Sequence, residues 1–183
     1  EQLLDLTVRP VLAELAGRGT PFVGVLFVGL MLTADGPKVL EYNCRFGDPE
    51  TQSVMPLLDG DLAAVLAAAA AGDVSSAELA VSDRAAVTVV VTAEDYPLGS
   101  LNGARILGID EATGAGALVF HAGTALKEGS LVAAGGRILN VTATGATIGE
   151  ARDAAYRAAA LIELPGSRVR TDIARAAAAA TAI

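Results

Sequence analysis

Glu41, Asn43 and Arg45 stand two positions apart in the run Leu40-Glu41-Tyr42-Asn43-Cys44-Arg45-Phe46-Gly47-Asp48-Pro49-Glu50-Thr51-Gln52. On a β-strand alternate side chains share a face, so Glu41 and Asn43 would project together, about 7 Å apart along the strand. A carboxylate beside an amide oxygen is a pair of hard donors suited to Mg2+, which usually keeps waters and phosphate oxygens as its other ligands. Arg45 joins the row if the extended conformation persists. A guanidinium beyond the metal can neutralise a phosphoryl group or an acyl phosphate as charge moves in the transition state. The row therefore reads as a floor for phosphoryl transfer. Spacing alone also allows a solvated polar strand face, because short motifs have many false positives.

The elements around this run must hold it extended. Leu3, Leu4, Val8, Val11, Leu12 and Leu15 recur at helical spacing over residues 1–18, with Pro10 predicting a kink or two short helices. Phe22–Leu32 reads as a buried strand, Thr33-Ala34-Asp35-Gly36 as a turn, and Lys38–Asn43 as the returning strand of a hairpin. Pro49 suits the first turn of a helix that falters near Pro56, and Asp61 and Gly72 bracket a second helix. Residues 73–84 are polar and aperiodic and mark a boundary between two units, 1–80 and 81–183. Beyond it, Val87–Thr92, Arg105–Leu107, Ala117–His121, Ser130–Val132 and Arg137–Thr142 are short candidate strands, followed by helices from Ile148 to Ile162 and after Asp172. The pattern predicts an α+β chain whose second unit is a small barrel or sandwich with covering helices.

Composition limits the function classes. With 13 Lys and Arg against 21 Asp and Glu, the net charge of −8 argues against a nucleic-acid platform. One well-placed Arg and a divalent cation could still hold a nucleotide phosphate. Hydrophobic residues make up 52% of the chain, yet aromatics only 4%, so alanine must supply a light, closely packed core. The single Cys44 cannot form an internal disulfide, which fits a reducing compartment such as the cytoplasm. No apolar run reaches membrane-spanning length. The chain opens with Glu-Gln-Leu-Leu, directly in a helical pattern, and reads as a fragment. Cys44, between Asn43 and Arg45, is expected on the opposite strand face, in the core. His121, the one histidine, reads as a structural hydrogen-bonding residue at a strand end. Gly135-Gly136 reads as a hairpin turn, and neither Lys38 nor Lys127 lies in a Walker-type loop.

The literal strings say more than their spacing. Gly24-Val25-Leu26-Phe27-Val28-Gly29-Leu30-Met31 followed by residues 41–52 resembles the end of the ATP-grasp domain of phosphoribosylamine–glycine ligases. Asp95-Tyr96-Pro97, Phe120-His121-Ala122-Gly123-Thr124, Gly135-Gly136-Arg137-Ile138-Leu139 and Arg170-Thr171-Asp172-Ile173 resemble that family's C-terminal domain, in order. Departures are modest: Asn102, Ala174 and Asp95 stand where the family commonly has Lys, Gly and Gly.

The resemblance implies a C-terminal ATP-grasp portion over 1–80 and a C-terminal domain over 81–183. It puts Mg2+ or Mn2+ on Glu41 and Asn43, and Arg45 near the transferred phosphate. Asp48 and Glu50 fall in a loop at the glycine and 5-phosphoribosylamine pocket; on local physics alone, Asp48 reads instead as a cap of the helix at Pro49. ATP, glycine and 5-phosphoribosylamine are the implied substrates. The family's N-terminal domain, adenine-clamping lobe and ATP-gripping lysines precede the matched portion, so these 183 residues are expected neither to turn over alone nor to bind ATP tightly. Two alternatives stay open: another ATP-grasp ligase, and a non-catalytic module that retains the fold.

Overall fold

The structure is a computed structural model, and it describes residues 1–180. In chain order the first elements are α1 (Gln2–Thr7), α2 (Arg9–Gly17), β1 (Phe27–Thr33), β2 (Gly36–Asn43) and α3 (Glu50–Val54), which tightens into a 3-10 turn over Met55–Leu57. Next come β3 (Leu58–Asp59), α4 (Leu62–Ala71), β4 (Ala80–Val81), β5 (Ala85–Ala93), β6 (Leu101–Arg105) and α5 (Ile109–Gly114). The chain ends with β7 (Leu118–His121), β8 (Thr124–Lys127), β9 (Ser130–Gly135), β10 (Arg137–Gly145), α6 (Ile148–Ala159), β11 (Ser167–Arg168) and α7 (Arg175–Ala180). Contacts divide the chain into two units, Glu1–Asp48 with Asp59–Ala80, and Pro49–Leu58 with the residues from Val81 onward. No helix among the described residues is long and apolar enough to cross a membrane.

In the first unit Pro10 sits in the opening turn of α2, where its missing N–H would be unpaired anyway, and the break falls at Val8. Two short helices result, as the proline predicts. β1 and β2 form the expected antiparallel hairpin, Thr33 facing Gly36 across the Ala34-Asp35 turn. β1 starts at Phe27, five residues later than expected. Gly24, at φ +133°, interrupts the extended run with a conformation that side-chain-bearing residues rarely adopt. Asp61 accepts from the Ala64 N–H at 2.9 Å, and left-handed Gly72 ends α4, so both predicted caps are present.

In the second unit every strand pairing is antiparallel, in two sheets of order β11-β5-β10-β7 and β6-β9-β8. The core lies on one face of the larger sheet. Val87, Val89 and Val91 of β5 and Leu139, Val141 and Ala143 of β10 meet Ala151, Ala155 and Ala158 of α6, and all are buried. Alanines at three- and four-residue spacing give α6 a flat face that lies close against the sheet. Thr147 caps this helix by accepting from the Glu150 N–H, while the Glu150 carboxylate accepts from the Ala146 N–H. The opposite face of the sheet is polar. Thr142 and Thr88 share a hydroxyl hydrogen bond of 2.8 Å, and Thr88 meets Ser53 of α3 at 2.7 Å.

Among the described residues no closed barrel forms, which corrects that part of the expectation. The reason lies at Gly135-Gly136, expected to be a hairpin turn. β9 ends at Gly135 in one sheet, and β10 begins at Arg137 in the other, so these consecutive strands do not pair. The diglycine is a corner. A Cβ on Gly136 would lie 2.8 Å from the Tyr96 ring, so the absence of a side chain lets Tyr96 pack on the backbone there.

Candidate functional site

The β1–β2 hairpin holds Glu41 and Asn43 on one face. The Asn43 amide donates to the Glu41 carboxylate, Nδ2 to Oε1, at 2.8 Å. Tyr42, between them, points the other way and donates its hydroxyl to the Thr7 carbonyl at 2.6 Å, which anchors the strand end. The ladder contains a bulge: Gly29 faces Glu41, but Leu30 faces Val39, leaving Leu40 without a partner. An extra residue reverses the alternation beyond it, so the bulge decides the face on which Glu41 emerges. Gly29 leaves room there, since a Cβ on it would approach Glu41 Cγ to 3.3 Å.

The two side chains suit a hard cation. Turning the Asn43 amide over exchanges its N and O and presents two oxygens together. No group of three or more His, Cys, Asp or Glu that could hold a metal occurs among the described residues. A two-oxygen set fits an ion completed by water and phosphate, such as Mg2+, and not a protein-caged Zn2+.

The rest of the run departs from simple alternation. β1 begins at Phe27 opposite Asn43, so the ladder has no partner to offer beyond it, and the chain bends at Cys44 and Arg45. Arg45 is therefore not held in the row by extended backbone; its Nη1 donates to the Phe46 carbonyl at 2.7 Å. Cys44 is exposed and not in the core, for the same reason. Pro49 itself takes the N-cap position of α3 and makes no side-chain cap bond of its own. Asp48 is exposed in the first unit, whereas Glu50, also exposed, opens α3 in the second.

A cleft of about 520 Å³ in the second unit has no counterpart in the residues singled out from sequence. Pro49, Thr88, Thr92, Tyr96 and three arginines, Arg137, Arg168 and Arg170, are among its lining residues. Register explains the cluster. Thr92 of β5 faces Arg137 of β10 on one side and Arg168 of β11 on the other. Directly opposed residues share a sheet face, so the two guanidinium chains flank Thr92. Here too a bulge intervenes: Arg137 faces Thr92 and Leu139 faces Val91, so the intervening Ile138 is the extra residue. Without it, Arg137 would share the face of buried Leu139.

Arg168 Nη2 donates to the Tyr96 carbonyl at 2.6 Å. Arg170 grips Asp172 through Nε at 3.0 Å and Nη2 at 2.7 Å. Those hydrogen bonds hold the Asp172 carboxyl below its ordinary pKa and raise Arg170 above its own. The strings containing Arg137 and Arg170 are visible in the sequence, but the strand register that joins them is not.

His121 lies elsewhere, on a cavity of about 700 Å³ lined also by Asp110, Glu111 and Glu163. Its Nδ1 lies 3.1 Å from the Thr124 hydroxyl, the structural hydrogen bond expected of it.

Comparison with known proteins defines first a class. Residues 1–51 match the phosphoribosylglycinamide synthetase ATP-grasp (A) domain and residues 86–176 the phosphoribosylglycinamide synthetase C domain. The chain is 52% identical over 168 residues to a phosphoribosylamine–glycine ligase of Caulobacter vibrioides, covering 91% of this chain and 39% of the relative. It is 49% identical over 184 residues to the Streptomyces coelicolor ligase, covering 98% and 44%. The crystal structure of the Thermotoga maritima phosphoribosylamine–glycine ligase superposes with a TM-score of 0.75 at 35% identity, over 87% of this chain and 39% of that one. The chain belongs to the phosphoribosylglycinamide synthetase family, as the end of its ATP-grasp domain followed by its C domain, and spans about two fifths of the length of these relatives.

Proposed function

We propose that this chain is the C-terminal part of an ATP-dependent ligase that joins glycine to 5-phosphoribosylamine. On this reading residues 1–80 complete the ATP-grasp domain and residues 81–183 form the C-terminal domain. The glycine carboxylate attacks the γ-phosphorus of ATP and releases ADP; the amine of phosphoribosylamine then attacks the carbonyl of glycyl phosphate and releases phosphate. The physical difficulty is charge, because a carboxylate must approach a polyanion. Glu41 and Asn43 would hold Mg2+ or Mn2+, which supplies charge neutralisation at the phosphates when bound. Arg45 contributes a fixed positive charge for the transferred phosphoryl group. Asp48 and Glu50, exposed on either side of Pro49, would contact the glycine and phosphoribosylamine groups.

The observation that carries the reading is the 2.8 Å contact between Asn43 and Glu41, which puts the amide and the carboxylate within reach of one cation. The first unit supports it from another side. Met31, Leu32, Val39 and Leu40 of the hairpin are exposed, a surface suited to cover by further parts of such an enzyme. By the same reasoning, the 183 residues alone neither turn over nor bind ATP tightly.

A chimera tests this, with the chain replacing the matching portion of the Caulobacter vibrioides ligase. ADP release that depends on glycine and phosphoribosylamine is expected, and Glu41→Gln should lower it on the order of 100-fold or more. Unchanged turnover in that variant, or robust turnover by the 183-residue chain alone, would refute the reading. Preference for bicarbonate or D-alanine over glycine would point to a different ligase.

A further inference from the structure

We infer that Ser53, Thr88 and Thr142 are positioning residues, whose linked hydroxyls lock helix α3 onto the larger sheet of the second unit and so aim Glu50 at substrate. The inference rests on the ligase reading, in which Glu50 contacts the glycine or phosphoribosylamine group. The strongest observation is an unbroken run of three hydroxyls. Ser53 Oγ lies 2.7 Å from Thr88 Oγ1, and Thr88 Oγ1 lies 2.8 Å from Thr142 Oγ1. A threonine hydroxyl has one proton and two lone pairs, so Thr88 can donate to one neighbour and accept from the other.

The sheet makes a firm base for this run. Thr88 of β5 and Thr142 of β10 are directly opposed in the ladder, and both are buried, Thr142 completely. Their neighbours in sequence, Val87, Val89, Val141 and Ala143, point to the other face and form the core with α6. Buried hydroxyls cost stability unless they are bonded, and valine fills nearly the same volume in a strand. Asn140 lies two positions from Thr142 on the same face. It is 1% exposed, and neither its Oδ1 nor its Nδ2 has a partner among the described residues. The face on which α3 lies is therefore not arranged for stability alone.

Helix α3 needs such a lock. It has 5 residues, none of them fully buried, and its N-cap Pro49 makes no side-chain cap bond. Isolated helices shorter than roughly 12–15 residues are marginal in water, so tertiary bonds must fix this one. Ser53 follows Glu50 by three positions, and side chains at that spacing share one side of a helix. Bonding Ser53 to Thr88 therefore sets the rotation of α3, and with it the direction in which the exposed Glu50 leaves the backbone. Beyond the helix, the Leu57 carbonyl accepts from the Ser82 N–H at 2.7 Å, which holds the far end of the segment. Small misplacements of a substrate-contacting group are expensive: about 1 Å can cost on the order of 100-fold.

The test combines kinetics of the chimera with hydrogen exchange in the 183-residue chain. In the chimera, Glu50→Ala should raise KM for glycine or for phosphoribosylamine. Ser53→Ala and Thr88→Val should each raise the KM of that same substrate about fivefold, with kcat within about twofold. Ser53→Thr and Thr88→Ser keep the hydroxyl and should restore the KM. In a Glu50→Ala background, Ser53→Ala should add nothing, because it acts through Glu50. In the 183-residue chain, the Val54 and Met55 amides should exchange about tenfold faster in Ser53→Ala and Thr88→Val. Alanine is a better helix former than serine, so a weaker intrinsic helix cannot account for these losses in Ser53→Ala. Unchanged KM in both variants beside a raised KM in Glu50→Ala would sink this inference alone. So would unchanged exchange, additive effects of Ser53→Ala and Glu50→Ala, or a loss that the hydroxyl-keeping variants do not repair. Normal kinetics of Glu50→Ala in an active chimera would overturn the inference and leave the ligase reading standing. A chimera inactive throughout would overturn the ligase reading, and this inference with it.

Discussion

Both units use one extra residue in a strand to aim a polar side chain, and they differ in what holds the bulge. In the second unit the extra residue is Ile138, fully buried among Leu139, Val89 and the alanines of α6. In the first it is Leu40, 63% exposed, on a hairpin whose neighbours Met31, Leu32 and Val39 are exposed as well. All the buried hydrophobic residues among those described lie in the second unit, from Val87 to Leu164. A two-stranded hairpin without a packed face is marginal by itself. The arginine row therefore sits on a scaffold with its own core, while the Glu41–Asn43 pair sits on one that depends on further cover.

The largest way to break this contrast uses one glycine from each unit. Gly108 has φ +85°, and a Cβ there would lie 1.8 Å from the Leu161 carbonyl oxygen. The neighbouring Leu107–Glu163 bridge, two hydrogen bonds of 3.0 Å, fixes both chains in place. Gly108→Ala should therefore cost about 4 kcal/mol or more in denaturant unfolding of the second unit, from left-handed strain and overpacking together. Gly29→Ala meets only the flexible Glu41 side chain at 3.3 Å. It should change stability by less than about 0.5 kcal/mol. The chimera's turnover should nevertheless fall about tenfold, because Glu41 is displaced by a few tenths of an ångström. Equal stability losses in the two variants would erase the contrast.

How much of this was legible follows from the same difference. The hairpin, the capped helix α4, the broken first helix and the shared face of Glu41 and Asn43 are local, and periodicity, proline and turn residues declare them. The ladder's end at Asn43 is not local; it depends on where β1 begins, so extrapolated alternation puts Cys44 in the core, where it is not, and the extended conformation on which Arg45's place in the row depends does not persist. β8 and α5 went unassigned because Thr124–Lys127 and Ile109–Gly114 are too short for a period to emerge. Arg137 and Arg168 are 31 positions apart, and only strand order and one bulge bring them to Thr92. The family strings marked both neighbourhoods without saying that they meet.

A smaller effect tests a departure from the family pattern. Ala174, where the resemblance leads one to expect glycine, has φ +57°. Left-handed backbone costs a non-glycine residue about 1–2 kcal/mol, and glycine gives back about 0.4–1 kcal/mol through its freer unfolded chain. Ala174→Gly should therefore raise the stability of the second unit by about 0.5–1 kcal/mol, read as a higher denaturant midpoint with an unchanged slope. A lower midpoint would mean that this alanine is held without strain.

The smallest effect separates the cleft's charge from its stability. The hydrogen bonds from Arg170 lower the pKa of Asp172, so the pair's contribution is present above the ordinary carboxylate pKa and fades as pH falls through the depressed value. Both side chains are well exposed, at 77% and 49%, so removing the pair should leave the unfolding midpoint unchanged at neutral pH. Carboxyl 13C titration should show the Asp172 midpoint rising towards its ordinary value in Arg170→Gln, and less so at high salt, where the pairing is already screened.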